Sequence, residues 1–231
     1  MYPFRHKKRT QDIHNIKVQY LKKLENMKNI FLCSSFKDVA SVFEDFIGLG
    51  NEGKKITFIP TASLVEKVTF YVEAGQKVLE KMGFVVDKLE ISTATTNEIK
   101  QKLQTNDLIY VTGGNTFFLL QELKKSGADK IIVEEILKGK TYIGESAGSM
   151  ILSPNIEYVA KMDSIKEAPD LSSFSALNVI DSYPVPHHTN FPFVKAVEKI
   201  ITTYGNTLDL YPITNSQAIC VRGEQIEVKT K

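Results

Sequence analysis

Three short segments carry residue types that could perform acyl transfer. The first is Gly144-Glu145-Ser146-Ala147-Gly148. In G-x-S-x-G the serine sits on a sharp strand-to-helix turn, and small residues two positions away let that turn pack. The turn lifts Oγ clear of the sheet. The N–H of Ala147, at the start of the following helix, can then face a developing oxyanion. Read alone, the pentapeptide fits a tight Gly-rich turn with an ordinary serine equally well. The second segment is Thr112-Gly113-Gly114-Asn115-Thr116. It lacks the spacing of a P-loop or of G-x-G-x-x-G. Beside a nucleophile it has a use, because glycine lets the backbone approach a substrate carbonyl closely. Gly114 is the candidate second oxyanion donor, with Gly113 and Asn115 as candidate substrate contacts. The third segment supplies a base, which a serine nucleophile needs. Of four histidines, His6 and His14 lie near the N-terminus, and His187 and His188 are adjacent. Neighbours in an extended segment point opposite ways, so one of the pair faces Ser146. There is no third nearby histidine and no H-x-E arrangement, so neither a metal nor a cofactor is expected.

These segments need strands before them. Apolar, β-rich runs cover 28–34, 55–60, 84–91, 107–112 and 141–144. Helical patterns cover 65–82, 97–103, 116–125, 128–137 and 193–204, with a further helix starting at Ala147. Short apolar strands alternating with helices are an α/β pattern. It implies a three-layer sandwich with a largely parallel central sheet and helices on both faces. A further strand is expected over 179–185, and a hairpin over 218–222 and 225–229, turning at Gly223-Glu224. In open α/β sheets ligands bind at the carboxyl ends of strands, which is where all three segments fall.

The chain has 231 residues, 42% hydrophobic and 24% charged, with a formal charge of +2. That charge is uneven. Residues 1–26 carry a net +5 and residues 27–231 a net −3. The mildly acidic body is not expected to bind nucleic acid, and no apolar run is long enough to span a membrane. Residues 1–26 lack the features of a secretory signal. They read as a basic extension outside the fold, with Ile13, Ile16, Tyr20, Leu21 and Leu24 at roughly helical spacing. Residues 27–231 then form a single domain. Cys33 and Cys220 lie in apolar runs and read as buried free thiols of a cytoplasmic protein.

Together, the Gly-x-Ser-Ala-Gly elbow, the upstream Gly-Gly-Asn-Thr-Phe and the downstream Pro-His-x-Thr-Asn resemble peptidase E, the aspartyl dipeptidases of the S51 serine peptidases. Phe58-Ile59-Pro60-Thr61-Ala62-Ser63 is a further match, and cyanophycinase is a more distant relative. The resemblance runs from about Met27 to the C-terminus. It implies a glutamine amidotransferase-like fold and a dipeptidase acting on Asp-X peptides. Ser146 would be the nucleophile and His187 the general base, with His188 beside it. Gly114 and Ala147 would offer the oxyanion N–H groups.

Two positions depart from that pattern. The family places an acidic third member near the C-terminus, where this chain has 211–218 without an acid. Asn215 stands nearest, and Asp163 is the alternative. The family also reads the substrate carboxylate with an arginine just after the histidine motif. Here Phe191-Pro192-Phe193-Val194-Lys195 has none, and Lys195 offers only a point charge. Glu145 is a candidate partner for the substrate α-amino group, or else a surface acid at a helix start. Three functions follow: a small-peptide dipeptidase, an amide or isopeptide hydrolase of cyanophycinase type, or a non-catalytic small-molecule binder on the same scaffold. Oligomeric state is not encoded in these features.

Overall fold

The computed structural model describes residues 27–231. The expected tail helix therefore lies outside the described residues. The strands are β1 (Asn29–Cys33), β2 (Lys55–Ile59), β3 (Val85–Lys88), β4 (Leu108–Val111) and β5 (Thr141–Glu145), then β6 (Tyr183–Val185), β7 (Leu210–Pro212), β8 (Gln217–Arg222) and β9 (Gln225–Thr230). The helices are α1 (Ala40–Ile47), α2 (Phe70–Lys81), α3 (Thr96–Thr105), α4 (Thr116–Ser126), α5 (Ala128–Leu137), α6 (Ala147–Met150) and α7 (Val194–Tyr204).

Seven strands form one sheet in the order β3-β2-β4-β5-β1-β8-β9. The first five are parallel, and the β8–β9 hairpin adds two antiparallel pairings at one edge. Period-2 alternation divides the core between the two faces. Phe31, Tyr110 and Ile143 point to the face covered by α1 and α2. Ile30, Leu32, Val111 and Tyr142 point to the face covered by α3, α4, α5 and α7. The β8–β9 edge is half solvated, and its outer strand is exposed along most of its length. Lys229 stands on that strand, a charge of the kind that discourages further strand addition.

Helix α1 and strand β7 were not expected from the sequence, β3 is shorter than the run over 84–91, and three further elements differ. Helix α2 begins at Phe70, not near residue 65. Residues 61–63 form a 3-10 turn, and the chain then runs through further turns to Thr69. Val65, Val68 and Thr69 are β-branched and favour a helix weakly, and Leu64 and Val68 are more than half exposed, so burial adds little. Helix α6 is a single turn, because its continuation meets Ser153 and Pro154. The strand expected over 179–185 shrinks to three residues and leaves the main sheet. It pairs with β7 in a separate two-stranded parallel sheet. Pro184 and Pro212 deprive both strands of a donor, which suits a short edge pairing.

Candidate active site

Ser146 follows β5 directly, with φ +49° and ψ −104°. Such a backbone costs of order 1–3 kcal/mol and persists only where its surroundings enforce it. Enforcement comes from both sides. The Ser146 N–H donates to the Cys33 carbonyl at the end of β1, 2.8 Å away. A Cβ on Gly144 would lie 2.4 Å from the Gly148 oxygen, and one on Gly148 would lie 2.2 Å from the Val111 oxygen. Both glycines are thus required for the turn to seat against β4 and against itself.

Across from the elbow, Ser146 Oγ lies 3.0 Å from His187 Nε2. On the ring's other side, His187 Nδ1 lies 2.9 Å from Asn215 Oδ1. Ser146, His187 and Asn215 are all half-buried. The extended geometry expected for 187–188 is not what separates the two histidines. His187 has φ +64°, and residues 187–190 form a tight turn after β6. His188 leaves that turn in another direction, toward Glu198 on α7, with Nε2 and Oε1 3.6 Å apart. Its imidazole is thus paired with α7, and His187 alone bonds Ser146. Burial lowers the His187 pKa, and the Asn215 hydrogen bond partly offsets this.

Gly114, with φ +134°, sits where a Cβ would be 2.1 Å from the Ala62 oxygen. The 61–63 turn therefore presses on the Gly113-Gly114 loop. Ala147 N–H, first in α6, has no intrahelical acceptor. Gly113 lies against the nucleophile, since its Cβ would be 3.2 Å from Ser146 Cβ. Asn115 is corrected from substrate contact to scaffold. Its Oδ1 accepts from Phe118 N–H at 3.0 Å, its Nδ2 donates to Ser164 O at 3.0 Å, and its N–H bonds Ala62 O. Asp163 is engaged in the same place. Its Oδ2 accepts from the Thr116 N–H at 2.8 Å and from the Thr116 hydroxyl at 2.6 Å. Burial pushes its carboxyl up to about 6 despite these bonds. It anchors the start of α4, and Asn215 is the group on His187 Nδ1.

Glu145 is also corrected. It is only 3% exposed, so it is neither a surface acid nor open to an α-amino group. Its Oε1 accepts from Phe36 N–H and its Oε2 from Tyr110 OH, each at 2.9 Å, and the Gly113 N–H also bonds this carboxylate. Burial raises its pKa to about 7 against those donors. Lys195 is exposed in the first turn of α7. Among the described residues no group of three or more His, Cys, Asp or Glu is placed to hold a metal ion.

Three residues of the site, Ser34, Phe193 and Tyr71, carried no motif, and a fourth, Asn190, closed the Pro-His-x-Thr-Asn motif without an assigned role. Ser34, just past β1, accepts from His187 N–H at 3.0 Å and donates to Ile213 O at 3.1 Å, joining the histidine and asparagine loops. Asn190 Oδ1 accepts the Asn215 N–H at 2.8 Å. The Phe193 ring stacks on the His187 imidazole, with centroids 4.6 Å apart and 22° between planes. The Tyr71 ring borders Gly113. The strand-end rule could have pointed to Ser34, and the motif to Asn190; nothing in the local pattern marks Phe193 or Tyr71.

Comparison with known proteins is consistent across the whole described chain. Peptidase family S51 matches residues 30–229. An uncharacterized peptidase of Listeria monocytogenes is 56% identical over 203 residues, covering 88% of this chain and 98% of its own. A peptidase E of Shewanella oneidensis is 37% identical over 141 residues, 61% of this chain and 56% of its own. A crystal structure of a candidate peptidase E protein from L. monocytogenes EGD-e superposes with a TM-score of 0.85 at 55% identity, covering 88% of this chain and 98% of that one.

Proposed function

Since the chain belongs to peptidase family S51 and is a serine-type peptidase, we propose that it is a dipeptidase of the Asp-X type working through an acyl-enzyme on Ser146. The observation that carries this reading is the continuous contact from Ser146 Oγ through His187 to Asn215 Oδ1. An amide oxygen only accepts, so Nδ1 carries the proton and Nε2 presents its lone pair to the serine. In the proposed cycle Oγ attacks the scissile carbonyl carbon while Nε2 takes the hydroxyl proton. The oxyanion is met by Gly114 and Ala147 N–H groups. The C–N bond breaks as Nε2 returns the proton to the leaving amine. Water then attacks the ester, its proton passes to Nε2, and the acid and free serine are released.

The substrate side chain must be met by the cations near the site. Among the described residues the sole arginine is Arg222. It pairs with Asn29 at the far end of β1, whereas Ser146 bonds Cys33 at the near end. A substrate carboxylate would fall to Lys195 as a point charge. A second reading, an amide or isopeptide bearing a cationic group, is favoured by one observation. Burial, and then the neighbouring carboxylates Glu66, Glu145 and Asp163, raise the pKa of Tyr71, which borders Gly113.

We also assign the activity to residues 27–231 as one domain. A cytoplasmic location is part of the proposal, supported by two buried free thiols. No helix of the described residues is long and apolar enough to cross a membrane. The deciding experiment combines Asp-Leu hydrolysis with a covalent serine probe and a panel of dipeptides and isopeptides. Ser146→Ala should lose both turnover and labelling while keeping its melting temperature. Turnover unchanged in that variant refutes the acyl-enzyme, and no labelling of the parent favours a non-catalytic binder. Cleavage confined to cationic isopeptides selects the second reading.

A further inference from the structure

We propose that Phe193 is a positioning residue whose ring face stabilises the imidazolium form of His187, supplying attraction for a charge that Asn215 does not neutralise. The inference rests on the serine peptidase reading for its purpose, but not for its test. When Nε2 takes the serine proton, the ring becomes a cation. An aspartate or glutamate on Nδ1 would answer that charge, and an amide oxygen offers only a dipole.

Among the described residues no ion bonds the ring, and Lys195 on the first turn of α7 is exposed. At the elbow His187 meets the Ser146 hydroxyl, and Glu145 is turned beneath, held by Phe36 and Tyr110. From β1 comes Ser34, which bonds the His187 backbone. From the 213–215 segment comes Asn215. From α7 the acidic group is Glu198, which faces His188. The pKa of His187 accordingly responds to burial and to Asn215, with no ionic partner. What remains is the Phe193 ring, nearly parallel to the imidazole at 4.6 Å.

An aromatic face carries negative quadrupole charge and attracts a cation placed over it. A neutral imidazole gains little from that face, and an imidazolium gains more. The contact is therefore stronger in the state formed during proton transfer, as catalytic stabilisation requires. The placement is held by backbone, not by the ring itself. Phe193 N–H donates to Asn190 O at 3.0 Å, and Asn190 N–H donates to His187 O at 2.9 Å. A side-chain change at 193 leaves these bonds in place.

The test follows His187 directly by NMR titration of its imidazole nitrogens in the full chain, without substrate, with His187→Gln to assign the signals. Phe193→Leu keeps apolar cover and removes the quadrupole. It should lower the His187 pKa by about half a unit, a factor of about three in the protonation equilibrium. Phe193→Tyr should restore it. Pentafluorophenylalanine at 193 keeps the ring shape and reverses its face charge, so it should lower the pKa further than leucine and remains informative if Phe193→Leu does not fold. The acid limb of the rate profile on any cleaved peptide should move with the titration. A His187 pKa unchanged in Phe193→Leu and in the fluorinated chain overturns the proposal, as does an equal shift in the leucine and tyrosine variants. Retained hydrolysis in Ser146→Ala would instead refute the acyl-enzyme reading and leave the titration result standing.

Discussion

Asn215 Oδ1 stands 2.9 Å from His187 Nδ1, on the ring side opposite Ser146. This contact makes the asparagine an orienter without charge. Asn215→Ala frees the ring to rotate and to take the wrong tautomer, so kcat should fall by about 10–100-fold with the melting temperature little changed. Asn215→Asp supplies the missing charge and should raise the His187 pKa, moving the acid limb of the rate profile upward. Asp163→Ala should act differently. It removes an anchor of α4 and should cost about 1–2 kcal/mol of stability, with the acid limb of the profile unmoved. Steady-state rates across pH beside thermal melts separate the two residues. Equal activity of both alanine variants with the parent would sink the triad.

The pH dependence of the parent has a definite sign. The base works neutral, so activity is lost as His187 protonates. Burial lowers its pKa below the ordinary value of 6.5. The acid limb of kcat/KM should therefore lie below pH 6.5, and activity should persist into mildly acidic solution. An acid limb above 7 would point to another titrating group.

The sheet was readable from short apolar runs because buried parallel strands are apolar on both faces, and the two cores bear this out at Phe31 against Leu32. The elbow was readable because its glycines answer a steric demand that leaves few alternatives, 2.2 Å from Val111 O in the case of Gly148. Glu145 was misread because sequence shows its neighbours along the chain, not Phe36 and Tyr110, which arrive from the turn after β1 and from β4. The start of α2 was misplaced for a related reason. Local pattern at 65–69 resembles a helix, and its exposure, which decides the matter, is a tertiary property. Phe193 read as one more apolar residue at a helix start, since stacking on His187 depends on a turn with φ +64° at 187 that no spacing encodes.

Glu145 makes a stability prediction. Its folded pKa of about 7 lies above the model-peptide value of 4.5. A raised carboxyl pKa means that the folded state holds the proton more tightly than the unfolded state. Its contribution is fully present below about pH 4.5 and is lost as pH rises through 7. Glu145→Gln is neutral throughout and should remove that slope. Relative to the parent, it should gain of order 1–3 kcal/mol at pH 8 compared with pH 4. Denaturant midpoints at the two pH values read the difference; identical slopes for both chains would contradict it.

Gly114 lets the loop seat against the 61–63 turn. A methyl at this position meets the Ala62 oxygen at 2.1 Å, on a backbone with φ +134°. Gly114→Ala must displace either the 61–63 turn or the loop itself. It should cost about 3 kcal/mol or more, and remaining folded protein should lose most of its turnover. Probe labelling of Ser146 should fall with turnover, because a displaced oxyanion donor slows both. Parent-like stability in this variant would mean that the two segments do not touch.

Ser34 tests whether catalysis depends on backbone placement of the histidine. It is 2% exposed, accepts from the His187 N–H and donates to the Ile213 carbonyl. The hydroxyl thus joins the base to the segment that carries Asn215, beside the His188 N–H bond to Ile213 O. Ser34→Ala leaves the His187 N–H without its partner, while the Ile213 carbonyl keeps the His188 N–H at 2.9 Å, at a cost of about 1–3 kcal/mol. Because the bond is to the backbone and not to the imidazole, the His187 pKa should stay where it is. A loosened base should lower kcat, with KM little affected, since Ser34 does not reach the substrate side of the ring. Ser34→Thr keeps the hydroxyl and should recover part of the rate. A fall in kcat accompanied by a displaced acid limb would show that Ser34 acts on the ring's charge, and a parent-like kcat would show that the His187 turn holds itself.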